Sequence, residues 1–396
     1  MNIQNAIQDL LKYCSTHDWS GYDPYDGLNS RLFQATPFRH SRFARLILIQ
    51  TLKRSPFNFR PLLGVPQLEN PKGLALFASA AVRLQRLGLA GKGLDDSLLE
   101  RLLRLRSPGF EALCWGYPFD WQNRHFMLPR YHPNIICSSF GGHALLDGYE
   151  QGGSPSYREC AVSVANFICT GLNRTPDGGS FCFSYTPLDH GGVHNANLLG
   201  AAFLARVWGH TGDELLQQDA LHAARYSVDR QRRDGSWVYG ESTKQQWVDG
   251  FHTGYNLLAL RRLHQAFDLP WLKDAMDKGY AYYRAHFIRK DGVAPYYQDK
   301  IYPLDIHSTA QAIITLTEFS DYDSEAIGLA ECLLDWACRN MRHREGFYYY
   351  QKHRHWINRT PYMRWSQAWM LLAMACLAEA LGRPAHSRNS GLKNQS

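Results

Sequence analysis

Two kinds of apolar segment alternate along the chain. One kind is apolar on all sides and rich in Ala, Gly and Leu: "CSSFGGHALLDGY", "HNANLLGAAFLARVW", "FHTGYNLLALRRL", "IHSTAQAIITLTEF" and "WSQAWMLLAMACLAEA". A helix without a broad polar face is a buried helix. The other kind keeps apolar residues on one helical face and polar residues on the other, over roughly 155–172, 213–232, 270–288 and 323–342. The buried kind recurs with a nearly constant period. Ser138, His194, His252, His307 and Trp365 mark its copies, at steps of 56, 58, 55 and 58. Further helical patterns lie near 3–16, 38–53, 71–88 and 95–106.

A loop repeats in step with these helices. Gly178 in "TPDGGSFCFSY", Gly235 in "RDGSWVYGE", Gly292 in "RKDGVAPYY" and Gly346 in "RHREGFYYYQ" are spaced by 57, 57 and 54 residues. A fainter copy, "EALCWGYPFDW", carries Gly116. An Asp-Gly turn followed by alternating aromatics would announce a β-hairpin in isolation. Repetition makes it one part of a unit: buried helix, short link, amphipathic helix, Gly-aromatic loop. About six such pairs predict an all-α fold, an (α/α)6 toroid with buried helices inside, amphipathic helices outside and short β-like aromatic loops at one rim. An open solenoid is the structural alternative. No Pro/Gly/Ser-rich linker divides the chain, so residues 1–383 read as a single toroid domain and 384–396 as a disordered tail.

Composition changes this picture little. The 396 residues are 45% apolar, enough for a large core. A net charge of +7 is too mild for a nucleic-acid protein. The opening "MNIQNAIQDLLKYC" is amphipathic and lacks a secretory pattern, and no apolar run spans a bilayer. The nine cysteines, several inside apolar helical patterns (Cys160, Cys169, Cys332, Cys338, Cys376), read as reduced core thiols. The expectation is a cytoplasmic protein. Residues 27–68 are the exception in charge, with seven Lys/Arg and no acid. They fit either an ordinary surface helix or peripheral contact with anionic lipid. The oligomeric state is not legible.

The ring predicts where chemistry would collect. All inner helices start at one rim, so side chains far apart in sequence converge there. The candidate catalytic residues at that rim are His252, Asp249, Asp305, His307, Tyr239 and Glu241. The candidate substrate-binding residues are Trp121, Tyr185, His194, Asn195, Trp247, Tyr297, Tyr349, Arg359, Arg364 and Trp365. Arg124 belongs to the same rim in the faintest copy. Aromatic faces stack on sugar rings, and carboxylates, imidazoles and amides read hydroxyls. A plainer reading stands beside this one. Asp249 and Asp305 can be helix N-caps, His252 and His307 buried structural histidines, and the aromatics packing. No Walker loop, GxGxxG or G-x-S-x-G elbow is present, so no nucleotide cofactor is expected. Asp249, His252 and His307 are metal-ligand types without a metal-binding spacing, which leaves a divalent metal open.

At these residues the chain resembles known families. "RQRRDGSWVYGE" looks like the repeat of α/α-barrel terpenoid cyclases. "PLDIHSTAQA" is similar to their acid-rich catalytic motif, with His307 where that motif has Asp. The wider pattern also resembles glucuronyl C5-epimerases, uronate lyases and six-hairpin glycosidases. "GYDPYDGLNS", "WGYPFDWQ", "CFSYTP", "HNANLL", "DGFHTGYNLL" and "DIHSTAQAI" resemble a group of bacterial and archaeal proteins associated with exopolysaccharide and glycan assembly. The resemblance implies an oligo- or polysaccharide partner, which a lipid would carry in such a pathway.

Three functions follow as expectations. The first is an epimerase or lyase that abstracts the C5 proton of a uronic acid. Arg364 would neutralise the carboxylate while His252, Tyr239 and His307 move protons. The second is a glycoside hydrolase with paired carboxylates from Glu241, Asp249 and Asp305. The third is a terpenoid-cyclase-like enzyme or a non-catalytic glycan-binding scaffold.

Overall fold

The computed structural model describes residues 2–122 and 127–382. Arg124 and the 384–396 segment lie outside them. Three helices open the chain: α1 (Ile3–Thr16), α2 (Arg31–Gln34) and α3 (Arg42–Arg54). Inner and outer helices then alternate. The inner α4 (Pro71–Arg86) is followed by the outer α5 (Leu94–Arg104), and α6 (Ile135–Glu150) by α7 (Pro155–Asn166). Next come α8 (His194–Thr211) with α9 (Glu214–Val228), α10 (Gly250–Phe267) with α11 (Pro270–Phe287), and α12 (Ile306–Glu318) with α13 (Ala326–Met341). The last inner helix is α14 (Trp369–Gly382), entered through a widened helical turn at Met363–Ala368.

Neighbouring inner helices pack on one another from α4 round to α14, and α14 packs on α4. The ring is therefore closed and the solenoid alternative falls away. Close packing needs small residues inside. A Cβ on Gly142 of α6 would stand 2.3 Å from the Phe203 ring of α8. The outer helix of the sixth pair is α1, which packs on α14. Its apolar face, Ala6, Ile7, Leu10 and Cys14, is fully buried. The sequence pattern placed 3–16 among the helices without showing that its partner lies at the other end of the chain.

The recurrent loops hold this arrangement. Gly178, Gly235, Gly292 and Gly346 all have positive φ, from 52° to 96°, where a Cβ is disfavoured. Three of them press on the next outer helix: Gly235 on Lys278 of α11, Gly292 on Cys332 of α13, and Gly346 on Asp9 of α1. Trp237 fixes its loop by donating its indole N–H to the Ser227 carbonyl at 2.8 Å, and Trp115 does the same to Leu102 at 2.8 Å. Residues 233–241 form a turn rather than a hairpin. The two-residue Gly178-Gly179 turn does join paired strands, β3 (Arg174–Asp177) and β4 (Ser180–Phe183), the third and fourth in chain order after β1 (Trp121–Gln122) and β2 (Met127–Leu128). A three-stranded sheet at the same rim joins β5 (Leu304–Asp305), β6 (Gln351–Lys352) and β7 (Ile357–Asn358).

Residues 20–66 are not part of the ring, and α3 is not one of its helices. They form a cap across the rim. The Tyr22 carbonyl accepts from Met363 N, Pro118 O from Asn29 Nδ2, Gln122 Oε1 from Arg45, and Ser55 O from Asn358 Nδ2. The nine cysteines are all unpaired, and Cys332 is exposed on α13 rather than in the core.

Candidate functional site

Four inner helices begin on a side-chain cap at one rim: Asn70 for α4, Asn134 for α6, Asp249 for α10 and Asp305 for α12. The plainer reading of the two aspartates is thus realised, but capping leaves half of each carboxylate for other partners. Asp249 Oδ1 accepts from His252 N at 3.0 Å. Its Oδ2 accepts from His252 Nδ1 at 2.7 Å and from Trp247 Nε1 at 3.0 Å. A carboxylate on Nδ1 fixes the imidazole with its proton there and leaves Nε2 as the basic nitrogen. His252 remains one-fifth exposed. Beside it, Tyr239 and Trp247 stack at 4.6 Å with 11° between their planes, and Tyr239 lies 4.6 Å from the imidazole. Burial raises the Tyr239 phenol well above its ordinary pKa.

Asn195, Asn256, Tyr239, Asp249 and His252 line one narrow cleft. Among the described residues, the side-chain carbonyl oxygens of Asn195 and Asn256 have no hydrogen-bond partner. Buried acceptors without donors are costly, and a hydroxyl-bearing ligand would satisfy them.

Asp305 is wholly buried and accepts from His307 N, Trp365 Nε1 (3.0 Å) and Gln351 Nε2 (2.7 Å). Burial pushes its carboxyl up to about 6 despite these donors. His307 lies between the rings of Phe251 (4.6 Å) and Trp369 (4.6 Å), with Trp365 edge-on at 4.7 Å. Its Nε2 is 2.6 Å from the Tyr255 hydroxyl. Burial first, and then the charges of Lys72 and Arg364, hold His307 neutral. His252 packs on the other neighbour of this group, 4.0 Å from the Phe251 ring.

Lys72 is the residue that the sequence reading missed. It sits in the first turn of α4 and is buried, with Nζ 4.5 Å from the Phe140 centroid and 5.2 Å from those of Tyr255 and Trp369. Nζ is 3.5 Å from the Tyr255 hydroxyl. Desolvation lowers its pKa to about 7, with Arg364 adding to the effect. Lys72, Tyr255 and His307 form a short polar line through an aromatic surround at the ring centre.

The remaining candidates disperse. Arg364 is buried, and its guanidinium fork is filled by Asp23, at 2.6 and 2.8 Å. Asp26 is likewise spent on buried Arg60, at 2.6 Å. Tyr185 is half-buried and hydrogen-bonded to Tyr117. Trp121 lies at the mouth beside Tyr25 and Tyr185. Tyr297 pairs with Asp249 through the backbone and packs on Tyr296. His194 turns outward to Ser227 and Glu241, and Glu241 also pairs with Arg230, so these two leave the His252 group. The His194 hydrogen bond is the first cause of the lowered Glu241 pKa. Tyr349 and Arg359 pack on each other near His343, away from the ring centre. Among the described residues, no three His, Cys, Asp or Glu side chains are placed to hold a metal ion together.

No family model matches the sequence, and no curated protein does either. Solved structures do. A cellobiose 2-epimerase from Bacillus thermoamylovorans B4167 aligns with TM-score 0.62 at 12% identity, over 78% of this chain and 87% of that one. The chain is an (α/α)6 toroid. A GH76 α-mannanase from Bacteroides thetaiotaomicron matches the toroid with TM-score 0.60 at 14% identity, over 81% and 89% of the two chains. An unsaturated glucuronyl hydrolase specific for heparin gives 0.61 at 12%, over 95% and 96%. At such identities the likeness is one of fold.

Proposed function

We propose that this toroid is a carbohydrate-active enzyme that moves a proton at a sugar carbon beside a carbonyl or carboxyl group, as an epimerase or a lyase. The observation that carries the reading is the cleft around His252. There an imidazole oriented by a buried carboxylate meets two unpartnered amide oxygens and a stacked Tyr–Trp platform. The platform would take a sugar face and the amides its hydroxyls. His252 Nε2 would accept the proton, and Asp249 would steady the imidazolium formed. Tyr255, with His307 behind it, would return a proton, since a buried phenol keeps its own at neutral pH. Positive charge for the carboxylate or developing enolate would come from Lys72, because Arg364 is already occupied. The structural neighbours include epimerases, a polysaccharide lyase and glycoside hydrolases, which supports carbohydrate chemistry without choosing among them.

The test is incubation with reducing oligosaccharides and with uronic-acid polymers in D₂O. Deuterium at a sugar carbon identifies epimerisation, and its position (C2 or C5) names the substrate class. The ultraviolet absorbance of a new C4–C5 double bond identifies a lyase. New reducing ends with neither carbon-bound deuterium nor that absorbance would replace this reading with hydrolysis.

A further inference from the structure

The cap carries a surface that the ring does not use. Among the described residues, fifteen large apolar side chains are exposed, and seven of them fall between residues 32 and 62. Phe43 and Leu62 are about three-quarters exposed, and Phe38 and Phe57 about two-thirds. On α3 the division is by face. Ile49 and Leu52 point into the cap, while Phe43, Ile47, Gln50 and Arg54 follow one another along the outer side. Leu32 is tied to the 62–64 segment by its backbone bond to Leu63, so the apolar residues of the two segments adjoin.

The same stretch is wholly one-signed. Residues 27–68 hold seven Lys/Arg and no acid. Only Arg60 among them is ion-paired within the described residues. Arg31, Arg39, Arg42 and Arg54 are exposed between the apolar side chains. An amphipathic helix with Phe and Ile outward, flanked by unpaired arginines, matches an interfacial membrane element in both its apolar area and its charge.

We propose that the outer face of the cap docks on an anionic membrane surface. Phe38, Phe43, Ile47 and Phe57 enter the headgroup–acyl boundary, and the arginines bind lipid phosphates. The cap spans the rim where the inner helices start, so docking brings the ring mouth to the membrane. The proposal does not depend on the reaction, and its test contains no saccharide.

The experiment is co-sedimentation of the full chain with vesicles of phosphatidylcholine alone or mixed with phosphatidylglycerol. The protein should pellet with the mixed vesicles and be weakened by salt. Phe43→Asp with Phe57→Asp should reduce binding about tenfold or more. Arg42→Glu with Arg54→Glu should reduce it only where anionic lipid is present. All four side chains are exposed, and unchanged thermal unfolding of the variants separates lost binding from lost fold. Absence of pelleting with either vesicle overturns the proposal, as does equal binding by the Phe variant. A dimer that the Phe variant converts to monomer would reassign the face to a second copy. Preference for an RNA duplex over mixed vesicles would reassign it to nucleic acid.

Discussion

Asp249 uses its two oxygens for two tasks. Oδ1 caps α10 and Oδ2 holds His252. Asparagine at 249 keeps the cap, since Asn is as good an N-cap as Asp, but it cannot stabilise an imidazolium. Asp249→Asn loses the acceptor for the Trp247 indole N–H, so it should cost about 1–3 kcal/mol by denaturant unfolding, while turnover falls about 10²–10⁴-fold, and turnover of His252→Ala should fall as far. Parental turnover in His252→Ala would place the base elsewhere. Lys72 gives a second prediction, in pH. Its pKa is about 7 in the folded protein and about 10.4 unfolded. Between those values the unfolded chain binds more protons, so stability contributed through Lys72 rises with pH from about 7 to about 10. Lys72→Met should abolish that slope and raise the melting temperature at pH 6. A drop there would mean that the ammonium stabilises the ring. If charged Lys72 is needed for turnover, activity has an alkaline limb near 7 that Lys72→Arg moves upward. An unmoved limb assigns it to another group. Lys72 was hard to see in "NPKGLALF", where a lysine in the first turn of an apolar helix reads as solvated. Only closure of the ring, which brings in α14, α10 and α6, surrounds it with Trp369, Tyr255 and Phe140.

At the scale of the element, the Gly-aromatic loop explains the repeat. Gly235 has φ near 90°, and a Cβ there would come within 2.3 Å of the Lys278 carbonyl. Gly178 shares the positive φ with open space around it. Gly235→Ala should cost about 2–4 kcal/mol by urea unfolding, and Gly178→Ala about 1–2. Equal costs would mean that the loop does not press on α11. Helix identities and many of their boundaries were legible because buried and amphipathic segments differ in periodicity, as the 270–288 reading against Pro270–Phe287 illustrates. The spacing of 55–58 residues was legible for the same reason. The pairing of Trp247 with Asp249, the outward turn of His194 and the occupation of Arg364 by Asp23 were not. Each depends on rotamers and on partners up to 341 residues away.

The whole molecule closes through its ends. Gly346 meets α1 as Gly235 and Gly292 meet α11 and α13, so the first helix completes the last hairpin. Removing residues 2–17 should therefore disrupt the entire ring rather than fray one end. Leu10→Ala, at a fully buried position, should cost about 2–5 kcal/mol by chemical denaturation. A truncated chain that melts like the parent would show that the ring does not need α1. The sequence by itself determined the alternation of buried and amphipathic helices and the recurring loop, and from these a ring was predicted. Periodicity, turn glycines and burial preference are local properties, and repetition amplifies them. Tertiary structure alone decided which rim residues face each other, that Lys72 is desolvated among aromatics, that Arg364 is spent on Asp23, and that residues 20–66 lie across the mouth. These depend on burial and charge created by packing distant segments together, and no local pattern encodes that.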